Sequence, residues 1–238
     1  MTEEKKPANS MHTFGLLGKN ISYSFSSGYF SEKFDDLKLE NHQYKNFDVN
    51  SIGEFRGLIS SNSISGMNVT IPYKEEVIPF LDEIDQVALD IGAVNTIKFL
   101  ESGAIKGYNT DVFGFENSLK PLLESHHKKA LILGTGGASK AVAYALGKLN
   151  IEYQFVSRNP KSNTQISYVD IDESIILEST LLINCTPLGT FPDIKLCPDI
   201  PYQFITSKHL LYDLIYNPSI TAFLNNGKEK GAKIKNGL

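Results

Sequence analysis

Length, composition and charge already limit what this chain can be. Its 238 residues suit two domains better than one, and the charged and apolar fractions, 21% and 41%, are those of a globular protein, which argues against disordered and fibrous classes. The formal net charge of -4, without a long block of Lys or Arg, argues against nucleic acid or an anionic membrane as the main partner.

The sequence also argues against a membrane or secreted protein and against a metal site. No apolar run reaches the roughly 20 residues that cross a bilayer, and the N-terminus has no hydrophobic secretory segment, so we expect a cytoplasmic protein. The two cysteines, Cys185 and Cys197, form no Cys-x-x-Cys pair, and no histidines cluster at ligand spacing. We therefore expect reduced thiols and no metal.

The first part of the chain alternates predicted strands with predicted helices. Strands are predicted at 14–17, 44–49 and 66–71, and helices at 29–37 and 51–60. Such alternation implies a mostly parallel sheet with helices on both faces.

The pattern then changes before the middle of the chain. A helix is predicted at 84–91, and strands at 93–99 and 104–108 are joined by a hairpin turn at 101–103. A longer helix at 112–125, interrupted by a proline, is predicted to connect two domains.

Three polar segments of the first part follow predicted strands. They lie at 18–26, 66–74 and 107–111, and they carry hydroxyls, amides, a Lys and an Asp. In open α/β sheets ligands bind beyond the carboxyl ends of the strands. The three segments therefore predict a site for a small polyhydroxylated molecule.

A glycine turn organises the second part of the chain. The strand at 130–133 is followed by Gly134-Thr135-Gly136-Gly137 and then by a helix rich in small residues. Such a turn brings backbone N–H groups and a helix N-terminus against a pyrophosphate. The third position of the G-x-G-x-x-G pattern is Ser139, so the match is incomplete, and a purely structural turn is the alternative.

The next predicted strand, 152–156, indicates which cofactor binds. It ends in Ser157-Arg158-Asn159-Pro160-Lys161, where an NAD enzyme usually carries a carboxylate for the ribose hydroxyls. No carboxylate is present, and a guanidinium can pair with phosphate oxygens in a forked geometry. The segment favours NADP over NAD, with a solvated loop as the alternative. Further strands are predicted at 181–184 and 210–215.

Six longer motifs occur along the chain. They are N-V-T-I-P-x-K at 68–74, G-A-V-N-T at 92–96, G-x-N-T-D-x-x-G-F at 107–115, G-x-G-G-A-S at 134–139, N-C-T-P-L-G at 184–189 and D-L-I-Y-N-P-x-x-T at 213–221. The shikimate dehydrogenases carry the same motifs in the same order, and the chain resembles this family over residues 14–238.

The resemblance implies a reaction and a fold. The reaction is the reversible reduction of 3-dehydroshikimate to shikimate by hydride transfer from NADPH, in chorismate and aromatic amino acid biosynthesis. The fold is α/β with two domains: a mostly parallel substrate domain at 11–111 and a Rossmann-type NADP domain at 112–217, with a segment at 218–238 returning to the first domain.

The resemblance also implies the site residues. Lys74 and Asp111 correspond to the catalytic pair, and the division of acid and base between them stays open. Taken alone, Lys74 would be a surface cation and Asp111 a helix cap. The expected substrate ligands are Ser24, Ser26, Thr70, Lys74, Asn95, Asp111 and Tyr216. The expected cofactor contacts are Gly134, Gly136, Gly137, Ala138, Ser139, Ser157, Arg158, Asn159, Thr186, Leu188, Leu214 and Gly237.

Some alternatives remain. The family normally continues beyond the position of Leu238 into a helix with a substrate-binding Gln. Either the sequence is truncated or one ligand is missing, and weakened substrate binding is the expectation. A dehydrogenase broadened toward quinate and a non-catalytic sensor of the intermediate are the competing functions. The partners we expect are small molecules only, in a monomer or a homodimer.

Overall fold

The computed structural model describes residues 11–22 and 24–238. The chain divides between Thr110 and Asp111 into two compact units, each continuous in sequence.

The first unit is built on one six-stranded sheet. Its elements in chain order are β1 (His12–Gly18), α1 (Phe25–Asp36), β2 (His42–Asp48), α2 (Phe55–Ser61), β3 (Ile64–Val69), α3 (Tyr73–Glu76), β4 (Glu83–Ile84), α4 (Gln86–Ile91), β5 (Thr96–Phe99) and β6 (Ile105–Tyr108). The strands lie in the order β2-β1-β3-β5-β6-β4. All neighbouring pairs are parallel except those of β5, which runs antiparallel to β3 and β6, so the predicted mostly parallel sheet is confirmed.

The reversal at β5 has a local cause. The strand is joined to β6 by the predicted hairpin, in which the amide of Leu100 donates to the carbonyl of Ala104 at 2.8 Å. Gly103 has a φ of +86°, in the left-handed region that favours glycine. The hairpin turns the chain back at once, so β6 regains the direction of β3. The carboxyl ends of β1, β3 and β6 consequently lie at one edge of the sheet.

The second unit contains a sheet in which every pair is parallel. Its elements are α5 (Asp111–Leu119), β7 (Lys129–Leu133), α6 (Gly137–Lys148), β8 (Glu152–Ser157), β9 (Gln165–Ser167), α7 (Glu173–Glu178), β10 (Leu181–Asn184), β11 (Leu210–Asp213), α8 (Ala222–Glu229) and β12 (Lys233–Lys235). The strand order is β12-β11-β10-β7-β8-β9. This is the order of a dinucleotide-binding sheet, with the reversal of winding between β7 and β10.

One prediction about a connection differs from the structure. The helix expected at 112–125 ends at Leu119 and continues only as a 3₁₀ turn, Lys120–Leu122, because Pro121 lacks the N–H of an α-helical bond. The segment 218–238 lies in the second unit, where β12 pairs with β11.

A buried histidine makes the stability of the second unit depend on pH. His127 is 3% exposed, and burial first and the neighbouring His126 second lower its pKa below the ordinary 6.5. Its Nδ1 accepts a hydrogen bond from the Glu124 amide at 2.8 Å. Below the ordinary pKa the unfolded chain therefore binds a proton that the folded chain does not.

We expect the free energy of unfolding contributed by this site to fall as the pH drops below about 6.5, by at most about 1.4 kcal/mol per pH unit. His127→Asn keeps an acceptor for the Glu124 amide and removes the titration. Urea unfolding of both forms at several pH values measures the difference. His126→Asn removes the smaller cause of the lowered pKa of His127 and should leave most of the pH dependence in place. A gap between wild type and His127→Asn that does not narrow as the pH falls would contradict the expectation.

Candidate active site

In the first unit, backbone hydrogen bonds join the segments that follow β3 and β6. The amide of Thr70 donates to the carbonyl of Leu17 at 2.9 Å, and the amide of Val69 donates to the carbonyl of Asn95 at 2.8 Å. The amide of Asn95 in turn donates to the carbonyl of Tyr108 at 3.0 Å. Thr70 and Asn95, two of the predicted substrate ligands, are thereby fixed at the same edge of one sheet.

Asn95 also organises the chain beyond β6. Its side chain is buried; its Oδ1 accepts from the Thr110 amide at 2.9 Å, and its Nδ2 donates to Thr110 Oγ1 at 3.0 Å. These bonds fix the residue that precedes Asp111 in the chain. Asp111, half-buried, starts α5, where a carboxylate is favoured by the positive end of the helix.

Lys74 lies in the short helix α3 and is half-buried. Its carbonyl accepts from the Val94 amide at 2.7 Å, so its backbone is tied to the segment before β5. The preceding Tyr73 is 2% exposed, and its hydroxyl donates to the carbonyl of Val49 at 2.7 Å. Tyr73 therefore anchors the helix that carries Lys74, a role that sequence reasoning missed.

The segment with the two predicted serines leads into α1. Ser24 caps the helix, with its Oγ accepting from the Ser26 amide at 3.2 Å. Asp48, at the end of β2, holds the turn that precedes Ser24: its carboxylate oxygens accept from the amides of Asn20 and Ile21 at 2.8 and 3.0 Å. Sequence reasoning did not single out Asp48, although its place at a strand end was a usable signal.

In the second unit, the glycine turn lies at the switch point between β7 and β10. The amide of Gly134 donates to the carbonyl of Val156 at 2.9 Å, and its φ is +108°. A Cβ added there would lie 3.1 Å from Thr186 Cγ2, so the turn needs a glycine both for conformation and for space. The predicted turn is thus closely packed against the Thr186 segment.

The N-terminus of α6 is suited to an anion. Gly136 precedes the helix without a side-chain cap, and a Cβ added to it would meet nothing within 4 Å. The first N–H groups, from Gly137 and Ala138, therefore face no capping side chain. Ser139 occupies the third glycine position and is fully buried, with its Oγ donating to the Gly136 carbonyl at 2.6 Å. That bond accommodates the departure from the glycine pattern.

The predicted 2′-phosphate segment follows β8 at the same edge. Ser157 Oγ accepts from the Asn159 amide at 3.2 Å, which shapes the turn, and Arg158 is exposed. An exposed guanidinium beside this turn is free of burial costs and suits a phosphate ligand.

The remaining predicted cofactor contacts follow β10 and β11. Thr186 and Leu188 are half-buried in one loop, and Leu214 is half-buried in the other. Gly237 lies against the second loop: its amide donates to the Ile215 carbonyl at 3.1 Å, and an added Cβ would overlap the Leu214 carbonyl. Tyr216, the remaining predicted substrate ligand, follows this loop and is 37% exposed.

The residues present therefore fit a dinucleotide in the second unit, since an uncapped helix N-terminus, a glycine turn and an arginine lie at the carboxyl edge of one sheet. Among the residues that the structure describes, no group of three or more His, Cys, Asp or Glu side chains could hold a metal ion. Over the same residues, no helix is both long and apolar enough to span a membrane.

Comparisons with known proteins agree with this geometry. The family model of the shikimate dehydrogenase substrate binding domain matches residues 16–97. The NADP(+) shikimate dehydrogenase of Clostridium beijerinckii is 38% identical, with 96% of this chain and 87% of that protein covered.

Solved structures give the same result. Shikimate dehydrogenase 1 of Peptoclostridium difficile is 36% identical with a TM-score of 0.83, covering 95% of this chain and 86% of that one. The shikimate 5-dehydrogenase of Thermus thermophilus, solved with NADP(H) and shikimate, is 31% identical with a TM-score of 0.82, covering 95% and 87%. From its motifs, its two sheets and these relatives, the chain belongs to the shikimate dehydrogenase family.

Proposed function

We propose that this protein interconverts 3-dehydroshikimate and shikimate with NADP as cofactor. The observation that carries the proposal is the arrangement at the edge of the first sheet, where Lys74 is tied to the β5 segment and Asn95 fixes the residue before Asp111. The Clostridium beijerinckii relative is an NADP(+) shikimate dehydrogenase, and the Thermus thermophilus structure holds both ligands. The partners we propose are therefore these two small molecules, in a monomer or a homodimer.

The cofactor, when bound, supplies or accepts the hydride. In the reduction, the ketone oxygen of the substrate gains negative charge as its carbon is reduced. The ammonium of Lys74 stabilises that charge and provides a proton, so that the oxygen becomes a hydroxyl on the same carbon. Asp111 accepts hydrogen bonds from a substrate hydroxyl and keeps the local charge balanced.

The other ligands that we propose in the first unit are the hydroxyls of Ser24, Ser26 and Thr70 and the amide of Asn95, which bind the hydroxyl and carboxylate groups of the substrate. Tyr216, in the second unit, is proposed as a further ligand through its phenol hydroxyl. On the cofactor, the α6 N-terminus binds the pyrophosphate and Arg158 binds the 2′-phosphate. Thr186, Leu188, Leu214 and Gly237 hold the nicotinamide end.

The test is the appearance of reduced nicotinamide when the protein is mixed with shikimate and NADP. We expect turnover with this pair, and much less when NAD replaces NADP or quinate replaces shikimate. A protein that binds shikimate in calorimetry without any turnover would instead be a sensor on the same fold. Faster turnover with quinate than with shikimate would identify the broader dehydrogenase.

A further inference from the structure

Three polar side chains are fully buried near the carboxyl ends of β10 and β11. Asn184 and Asp213 are 0% exposed and are the last residues of strands whose other residues are apolar or aromatic. Thr221, which precedes α8, is 1% exposed. A buried carboxylate is costly unless hydrogen bonds compensate for its lost hydration. We therefore expect the Asp213 carboxylate to accept several hydrogen bonds.

Asp213 accepts hydrogen bonds on both carboxylate oxygens. Oδ1 accepts from Asn184 Nδ2 at 3.1 Å and from the Ile215 amide at 3.0 Å, while Oδ2 accepts from Thr221 Oγ1 at 2.6 Å. Burial raises the pKa of Asp213 to about 6, and these bonds oppose the rise. Cys185 and Tyr202, whose pKa values are also raised by burial, lie within electrostatic range of Asp213.

The bond to Asn184 fixes which way the Asn184 amide points. Because Nδ2 is held by an obligate acceptor, Oδ1 is left to accept from Thr186, from its amide at 3.0 Å and its Oγ1 at 2.7 Å. The opposite orientation would place an NH₂ against the Thr186 amide, which is also a donor. Thr186 Oγ1 then accepts from the Leu188 amide at 3.3 Å.

We propose that Asp213 is a positioning residue, which acts through Asn184 on Thr186 and Leu188 and directly on Ile215, and so holds the two loops that bind the nicotinamide end of NADP. This inference rests on the proposed function, because those loops were assigned to the cofactor there. Asp213 itself touches neither substrate nor cofactor in this scheme. A carboxylate suits this position because both of its oxygens are acceptors, whereas a hydroxyl or an amide also donates.

The test compares Asp213→Ala with Asp213→Asn and with a control at the other end of the same strand. The control is His209→Ala, since His209 is buried just before β11 and bonds to the Ile176 carbonyl at 3.0 Å. We expect Asp213→Ala to raise the Kd for NADP, measured by calorimetry, about tenfold. Asp213→Asn keeps an oxygen for Asn184 and Ile215 and is expected to recover most of that loss. His209→Ala should lower the Tm with an unchanged Kd.

Amide hydrogen exchange of the ligand-free protein gives a second readout. In Asp213→Ala the amides of Thr186 and Leu188 should exchange faster than in wild type, and in His209→Ala they should not. Where Asp213→Ala fails to fold, Asn184→Ala breaks the same link and should weaken NADP binding similarly. Wild-type NADP affinity in Asp213→Ala or in Asn184→Ala, with unchanged exchange at Thr186, would overturn the inference.

The outcomes also separate this inference from the proposed function. If wild type binds NADP but does not turn over shikimate, the proposed reaction fails while the binding comparison still decides the role of Asp213. If the wild-type protein turns over shikimate and the Asp213 variants bind NADP as tightly as wild type does, only the inference fails. If wild type does not bind NADP, both fail.

Discussion

Lys74→Ala is expected to lower kcat for shikimate oxidation about a thousandfold, because the variant loses both the charge that stabilises the substrate oxygen and the group that exchanges its proton. The fold should persist, since the Lys74 residue is held through its carbonyl, which accepts from the Val94 amide at 2.7 Å whatever the side chain. Steady-state kinetics with saturating NADP, together with a thermal melt of the variant, measures both effects.

The matched control for this experiment is Lys98→Ala. Lys98 is an exposed lysine on β5 of the same unit and has no role in the proposed site. We expect its removal to leave kcat within a factor of about two, since isolated surface charges contribute little. A kcat for Lys74→Ala that stays within tenfold of wild type would remove Lys74 from the chemistry and leave it as a substrate ligand.

Arg158→Ala is expected to raise the KM for NADP by between about tenfold and a hundredfold, since a charge-assisted pair with the 2′-phosphate is lost. The KM for NAD, which lacks that phosphate, should change little, so the preference between the two cofactors narrows. Kinetics with each cofactor at saturating shikimate gives the ratio. Arg158 is exposed at the turn after β8, and its replacement should leave the Tm unchanged.

Arg56 provides the control, because it is the other arginine of the chain and lies exposed on α2 of the first unit. Arg56→Ala should leave both cofactor constants unchanged. An equal loss of affinity for NADP and NAD in Arg158→Ala would show that this side chain contacts a part common to both molecules, and the assignment to the 2′-phosphate would be wrong.

Much of the architecture was accessible from the sequence because its signals are local. Three features predicted β7 and α6: the apolar run, the glycine turn after it and the small residues that follow. All three lie within about 20 residues of one another, so they can be recognised without knowing the fold. The hairpin before β6 was predicted from its turn residues in the same way. The effect of Pro121, by contrast, was underestimated. The helix predicted at 112–125 was expected to continue past this proline, but it ends at Leu119.

What the sequence did not reveal depends on distant partners. Asp48 holds the turn after β1 from the end of β2, and Tyr73 reaches back to Val49, so neither partner can be identified from the residue's own segment. The bond between Asn184 and Asp213 joins residues 29 positions apart. The roles proposed for Lys74, Asp111 and the other site residues remain predictions, because their evidence is the family motif and the local geometry of each unit.

Because each unit is one continuous stretch of sequence, the two units can fold one after the other during translation. The last strand of the first sheet ends at Tyr108. The first sheet can therefore form completely while the second unit is still being translated. The second sheet needs β12 at Lys233–Lys235 to cover the edge of β11, and Gly237 to support the Leu214 loop. During synthesis, the first sheet can thus be complete well before the second, and in the interval the uncovered β11 edge can pair with a strand of another chain.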